Sequence, residues 1–156
     1  IRRGWYGSRE TEDRQDSKYS EQDVMEVLSL VRDEFNVNDN RIYLWGHSMG
    51  GAGTYHIAAK YPDLFAGLGV AAPAPEQDLD IRATLERIKH IPIFVLQGDE
   101  DGLVTLTRRW VEQMQNLGMQ HVYAEIPGGD HSLVISQNSK HMQKFIDFFN
   151  IVRKHY

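Results

Sequence analysis

Four short apolar runs recur along the chain, and a helix-forming stretch separates each from the next: Ile42-Tyr43-Leu44-Trp45, Gly67-Leu68-Gly69-Val70-Ala71-Ala72, Ile93 to Gln97, and His121 to Ile126. Runs of this length, bounded by turn residues, read as strands, the first of them buried on both faces. A strand cannot lie parallel to its predecessor without a crossover, and a helix is the usual crossover. The alternation therefore predicts an α/β fold: a three-layer α/β/α sandwich around a mostly parallel sheet. In such sheets the sites form at the carboxyl ends of the strands.

The helices can be placed from spacing and caps. Ser20 followed by Asp23 reads as a capping-box-like start. Val24, Val27, Leu28, Val31 and Phe35 then share one face, which predicts a helix over 21–35. Ahead of it, residues 1–19 carry many charges and only the aromatic pair Trp5 and Tyr6, and read as a long loop. Met49 to Lys60 reads as a helix ended by Pro62, which has no NH to donate. Further helices are expected over 80–89, over 105–117 with Gly118 just past the end, and over 139–153 with Met142, Phe145, Ile146 and Phe149 on one face.

Composition limits what such a fold could do. At 156 residues, 41% hydrophobic and 25% charged, residues 1–156 read as a single domain. Seventeen Lys and Arg stand interspersed with 22 Asp and Glu, a net charge of −5, which argues against a nucleic-acid partner. The apolar runs fall far short of the ~20 residues of a membrane helix. Without cysteine there is no disulfide, no thiol nucleophile and no thiolate zinc site. The first residue is Ile1, so the chain is expected to be processed or part of a longer precursor.

Directly after the first strand stands Gly46-His47-Ser48-Met49-Gly50-Gly51. A Gly-x-Ser-x-Gly between a buried strand and a helix is the nucleophile-elbow pattern, in which small residues are expected two before and two after the serine. Ser48 would project from the top of the sheet. A serine hydroxyl is a poor nucleophile until a base, normally an oriented histidine, takes its proton. In this fold the order is serine, acid, histidine. Pro127-Gly128-Gly129-Asp130-His131-Ser132 follows the fourth strand and offers His131 as the base. Gly98-Asp99-Glu100-Asp101 follows the third and offers three carboxylates, Asp101 first, with Asp99 and Glu100 as alternatives. Asp130 reads as a solvated loop residue. His56, His90, His121, His141 and His155 read as structural or surface residues. His47 adjoins the serine, but its ring is expected to point away from Ser48. No His pair has zinc spacing with a glutamate between, so neither metal nor cofactor is implied.

Asp39 to Gly51, with Gly53-Thr54-Tyr55 and Lys60-Tyr61-Pro62-Asp63-Leu64-Phe65-Ala66, resembles the α/β-hydrolase esterases. Within them it is most similar to polyhydroxybutyrate-depolymerase-like and feruloyl-esterase-like enzymes, and close to the catalytic domain of prolyl-oligopeptidase-like proteins. The resemblance implies Ser48 as nucleophile, His131 as base and Asp101 as acid, because Gly98, Asp101 and Val104 match the family's Gly-x-x-Asp-x-x-Val. It implies hydrolysis of a small-molecule carboxylic ester through an acyl-enzyme, with a prolyl-oligopeptidase-like peptidase or a non-catalytic module as alternatives. A secreted or periplasmic location is favoured by the resemblance alone. It also implies that this chain supplies only the last four strands of the family's sheet. Strand 42–45 would then be a bare edge, open to a preceding segment or another chain. Of the two oxyanion-holding NH groups, only that of Met49 would be present; the other comes from a loop this sequence lacks. The loop Pro73 to Gln77 and the pair Trp5 and Tyr6 are candidates for lining a pocket.

Overall fold

The computed structural model describes residues 14–76, 79–132, 135 and 139–154. The expectations for Trp5, Tyr6, Gln77 and His155 lie outside them. All four strands form: β1 (Tyr43–His47), β2 (Gly67–Ala71), β3 (Ile93–Gly98) and β4 (His121–Ile126). They make one sheet in the order β1-β2-β3-β4, and every pairing is parallel, from Tyr43 opposite Gly67 to Gly98 opposite Ile126. The helices are α1 (Arg14–Glu34), α2 (Met49–Lys60), α3 (Ile81–Ile88), α4 (Val104–Asn116) and α5 (Ser139–Ile151).

Side chains leave a strand alternately on its two faces, and the two cores follow that alternation. Leu68, Val70, Ile93 and Val95 pack with Tyr55 and Ile57 of α2, Leu85 and Ile88 of α3, and Trp110 and Met114 of α4. Ala71, Phe94 and Leu96 point the other way, onto Phe145 and Phe148 of α5. Three layers result, with α2, α3 and α4 on one face and α5 on the other. All three crossovers between strands thus share a face, so the sheet grows in one direction, as crossovers of a single hand require. Gly69 leaves room for this packing, since a Cβ there would come within 2.7 Å of Phe145 and Trp45 ring carbons.

Three details differ from expectation. α1 begins at Arg14, so residues 14–19 are helix and not loop, and Ser20 sits inside the helix and not at its start. Charged and amide side chains are good helix formers, and a reading tied to apolar spacing passes over a turn that lacks an apolar stripe. β1 runs on through Gly46 and His47, which pair with Val70 and Ala71. The apolar stripe of α1 docks only in part: Val24 packs at the rim of the core, whereas Val27, Val31 and Phe35 stay exposed. β1 for its part has β2 as its one strand neighbour among the described residues.

Glu21 ties α1 to the far end of α2. It accepts hydrogen bonds from His56 Nε2 at 3.0 Å, Lys60 Nζ at 2.5 Å and the Tyr61 hydroxyl at 2.9 Å. Burial pushes its carboxyl up, but these donors outweigh burial and hold it below the usual range. No described helix is long and apolar enough to cross a membrane.

Tyr55 stacks on Trp110 with ring centroids 4.1 Å apart, and both residues are fully buried. Among the described residues neither the buried Tyr55 hydroxyl nor the buried Trp110 Nε1–H has a hydrogen-bond partner. A buried, unbonded hydroxyl costs about 1–3 kcal/mol. Tyr55→Phe keeps the stack and removes that cost, so the variant is expected to melt at or above the wild-type temperature by thermal denaturation. A loss of more than about 1 kcal/mol would show that the hydroxyl has a partner.

Candidate active site

Between the last residue of β1 and the first of α2 stands Ser48 alone. The reversal from strand to helix in one residue forces its backbone to φ 56° and ψ −118°, a region that L-residues seldom occupy. Three hydrogen bonds hold it there. Its NH donates to the Ala71 carbonyl at 2.9 Å, and its carbonyl accepts from Ala52 at 3.1 Å and Ala74 at 3.0 Å. The steric demand on the flanking glycines is one-sided, contrary to the symmetric requirement read from the motif. A Cβ on Gly46 would lie 2.0 Å from the Gly50 carbonyl oxygen, whereas one on Gly50 would meet none of the described residues beyond its own helical turn within 4 Å. Gly51 is crowded by Pro73, whose Cα would lie 2.9 Å from an added Cβ.

The loops after β3 and β4 are zipped together beside the serine. A Cβ on Gly98 would lie 2.1 Å from the Gly129 carbonyl oxygen, so the two backbones nearly touch. The Glu100 NH donates to that carbonyl at 3.0 Å, and Asp99 Oδ1 accepts from the Gly128 NH at 2.7 Å. Of the three carboxylates offered by the sequence, Asp99 thus braces the histidine loop. Asp130 accepts from the Ser132 NH at 2.8 Å.

Asp101 is the carboxylate that reaches His131. Its Oδ2 lies 2.8 Å from His131 Nδ1, and His131 Nε2 lies 2.8 Å from Ser48 Oγ. A carboxylate only accepts, so Nδ1 carries the proton, Nε2 is an acceptor, and the serine hydroxyl donates to it. The Asp101 side chain is 4% exposed and that of His131 40%. Burial pushes the Asp101 carboxyl up. Hydrogen bonds from the Leu103 NH, His131 and Gln97 outweigh that and hold it below the usual range. Ser48, His131 and Asp101 therefore form one hydrogen-bonded path. A hydroxyl so placed can lose its proton as it attacks an electrophilic carbon. Met49 is the first residue of α2, where a backbone NH has no acceptor within the helix and can face an anion.

His47 reaches a partner that sequence cannot show. Its Nε2 lies 2.9 Å from the His131 carbonyl oxygen, to which it can donate, and the two rings are 4.9 Å apart. Gln97 and Thr107, both fully buried, were also hidden from a reading of motifs: Gln97 Nε2 donates to Asp101 at 2.9 Å, and the Thr107 hydroxyl donates to Gln97 Oε1 at 2.7 Å. His90 and His121 bond nearby backbone carbonyls, of Pro62 and Met119. Among the described residues no group of three His, Asp or Glu side chains could hold a metal ion. Of the loop expected to line a pocket, Pro73 packs on the elbow. Pro75 and Glu76 border a cavity of about 240 Å³ that Ala52, His56 and Arg87 also line and that Ser48 and His131 do not reach.

Known proteins share this arrangement of elements. A solved thermostable esterase superposes with a TM-score of 0.74 at 26% identity, over 87% of this chain and 37% of its own. An S-formylglutathione hydrolase from Staphylococcus aureus gives 0.69 at 18% identity, over 85% of this chain and 61% of its own. The second of these likenesses speaks for the fold alone. A bifunctional acetylxylan esterase/xylanase from Neocallimastix patriciarum is 30% identical over 81 residues, which make up 52% of this chain and 11% of that protein. The chain thus spans less than two thirds of the length of each of these three proteins. The model of the Esterase family matches residues 2–143, and the chain belongs to that family.

Proposed function

We propose that this chain carries the catalytic end of a serine hydrolase that cleaves carboxylic esters through an acyl-enzyme. The observation that carries the reading is the unbroken path from Ser48 Oγ through His131 to Asp101, two hydrogen bonds of 2.8 Å each. As Ser48 Oγ attacks the ester carbonyl, its proton passes to His131 Nε2, and Asp101 stabilises the resulting imidazolium. The carbonyl oxygen becomes an oxyanion facing the Met49 NH. The C–O bond to the alcohol then breaks, and the alcohol leaves with the proton from His131. Water, deprotonated by the same nitrogen, attacks the acyl-serine, releases the acid and restores Ser48.

One NH is half of what such a site uses, and one oxyanion donor is worth about 10² to 10³ in rate. We propose that the second comes from polypeptide paired with the edge of β1 that no described strand covers, a preceding segment of the same protein or another chain. The exposed stripe of Val27, Val31 and Phe35 on α1 supports a covering layer of that kind.

The test is covalent. A fluorophosphonate should label Ser48 of the folded protein, located by peptide mass, and hydrolysis of a short-chain p-nitrophenyl ester should disappear with labelling. Failure to label Ser48 in the full-length protein would sink the reading and leave a non-catalytic module. Labelling with turnover of an amide in place of the ester would redirect it to a peptidase.

A further inference from the structure

We infer that Gln97 and Thr107 are positioning residues for the reaction: they fix the rotamer of the Asp101 carboxylate and, through it, the tautomer of His131. The inference rests on the serine-hydrolase reading above. Gln97 is the penultimate residue of β3 and Thr107 lies in the first turn of α4, so both belong to regular elements and not to the loops that carry Asp101 and His131. Both are 0% exposed. Buried polar groups are costly unless bonded, and here every hydrogen-bonding group of the Gln97 amide is used. Its NH₂ donates to Asp101 Oδ2 at 2.9 Å and to the Gly98 carbonyl at 3.2 Å, while its Oε1 accepts from the Thr107 hydroxyl at 2.7 Å. Turning the amide over would set Oε1 against two other oxygens and leave the Thr107 hydroxyl to find a new acceptor. The orientation is therefore determined from three sides.

The consequence falls on Asp101. Its Oδ1 takes the Leu103 NH at 2.9 Å, and its Oδ2 takes both Gln97 and His131. Three NH donors converge on two oxygens, so the carboxylate cannot turn out of this plane without leaving a donor unpaired. Held that way, it presents Oδ2 to His131 Nδ1–H, which keeps Nε2 free to accept from Ser48. Gln97 and Thr107 touch neither the serine nor any substrate bonded to it, and act only through Asp101.

Substitutions at Thr107 separate its hydroxyl from its methyl. Thr107→Val keeps the shape and removes the donor; Thr107→Ser keeps the donor and removes the methyl. A positioning role predicts that kcat per fluorophosphonate-titrated site falls about 3- to 10-fold in Thr107→Val with KM unchanged, and stays within about twofold of wild type in Thr107→Ser. A packing role predicts the reverse order. Gln97→Met, which loses all three bonds of the amide at similar volume, should cost about 10- to 100-fold in kcat. The second readout needs no turnover: the downfield proton resonance of His131 Nδ1–H bonded to Asp101 should broaden or vanish in Thr107→Val and Gln97→Met and persist in Thr107→Ser. Melting temperatures establish which variants fold. Wild-type kcat and an intact resonance in folded Gln97→Met would overturn the inference. A wild type that neither labels nor turns over would instead overturn the hydrolase reading, while the resonance still reports on the relay.

Discussion

Asp101→Asn is expected to lower kcat/KM for a short-chain ester by about 10⁴ while the protein stays folded, because the substitution leaves the shape of the site intact and sets its hydrogen bonds in conflict. Three NH groups aim at the two Asp101 oxygens: Leu103 at Oδ1, and Gln97 with His131 at Oδ2. An asparagine has one oxygen to offer. Facing Gln97 and His131, it turns its NH₂ onto the Leu103 NH. Facing Leu103, it turns its NH₂ onto Gln97, which the Thr107 hydroxyl holds in place, and onto His131, which can relieve the clash by moving its proton to Nε2. That tautomer cannot accept from Ser48. Steady-state kinetics on purified wild type and variant decide the matter, and a loss smaller than about tenfold would remove Asp101 from the acid role. The stability of the two proteins should also differ with pH. The folded carboxyl of Asp101 titrates below its ordinary value of 3.8, so its contribution is fully present above that value and fades as pH falls through the lower folded one. Denaturation midpoints should therefore diverge at neutral pH and converge in acid.

What the sequence made legible depends on how local each feature is. The four strands and the elbow were readable because each rests on a few adjacent residues: an apolar run, then glycines around a serine. The nearness of His131 to Ser48 was readable because both follow strands of one parallel sheet and so stand at the same end of it. The choice among Asp99, Glu100 and Asp101 was not settled by the residues themselves, since all three carboxylates follow Gly98 and only the approach of the Gly129 backbone decides where each points. That approach sends Asp99 to the Gly128 NH and Asp101 to His131. Gln97 and Thr107 left no mark at all. One lies in an apolar strand and the other in an amphipathic helix, and their bond is made by packing α4 on β3. The contact of His47 with the His131 carbonyl bridges 84 positions and belongs to the same class. The first turns of α1 escaped for a different reason: helix formation there relies on propensity, which leaves no apolar period to read.

Gly46→Ala and Gly50→Ala form the sharpest pair, since the motif treats the two positions alike and the structure does not. An alanine Cβ at position 46 would stand 2.0 Å from the Gly50 carbonyl oxygen and 2.2 Å from its carbon, well inside contact distance. Both atoms are backbone of the first turn of α2, so no rotamer change relieves the clash. Either β1 and α2 separate or the reversal at Ser48 opens. Overpacking of a rigid core costs about 1–3 kcal/mol, and a clash of backbone with backbone belongs at or above the top of that range. For a chain of this size each kcal/mol corresponds to roughly 2–4 °C in melting temperature. Gly46→Ala is therefore expected to melt roughly 6–12 °C below wild type and to lose fluorophosphonate labelling of Ser48, because the shift displaces the serine from His131. Gly50→Ala places its methyl where none of the described residues beyond its own helical turn lies within 4 Å and replaces a poor helix former inside α2, which favours the helix by up to about 1 kcal/mol. It should melt at or above wild type. Equal losses at both positions would mean that the open space beside Gly50 is filled in the working protein.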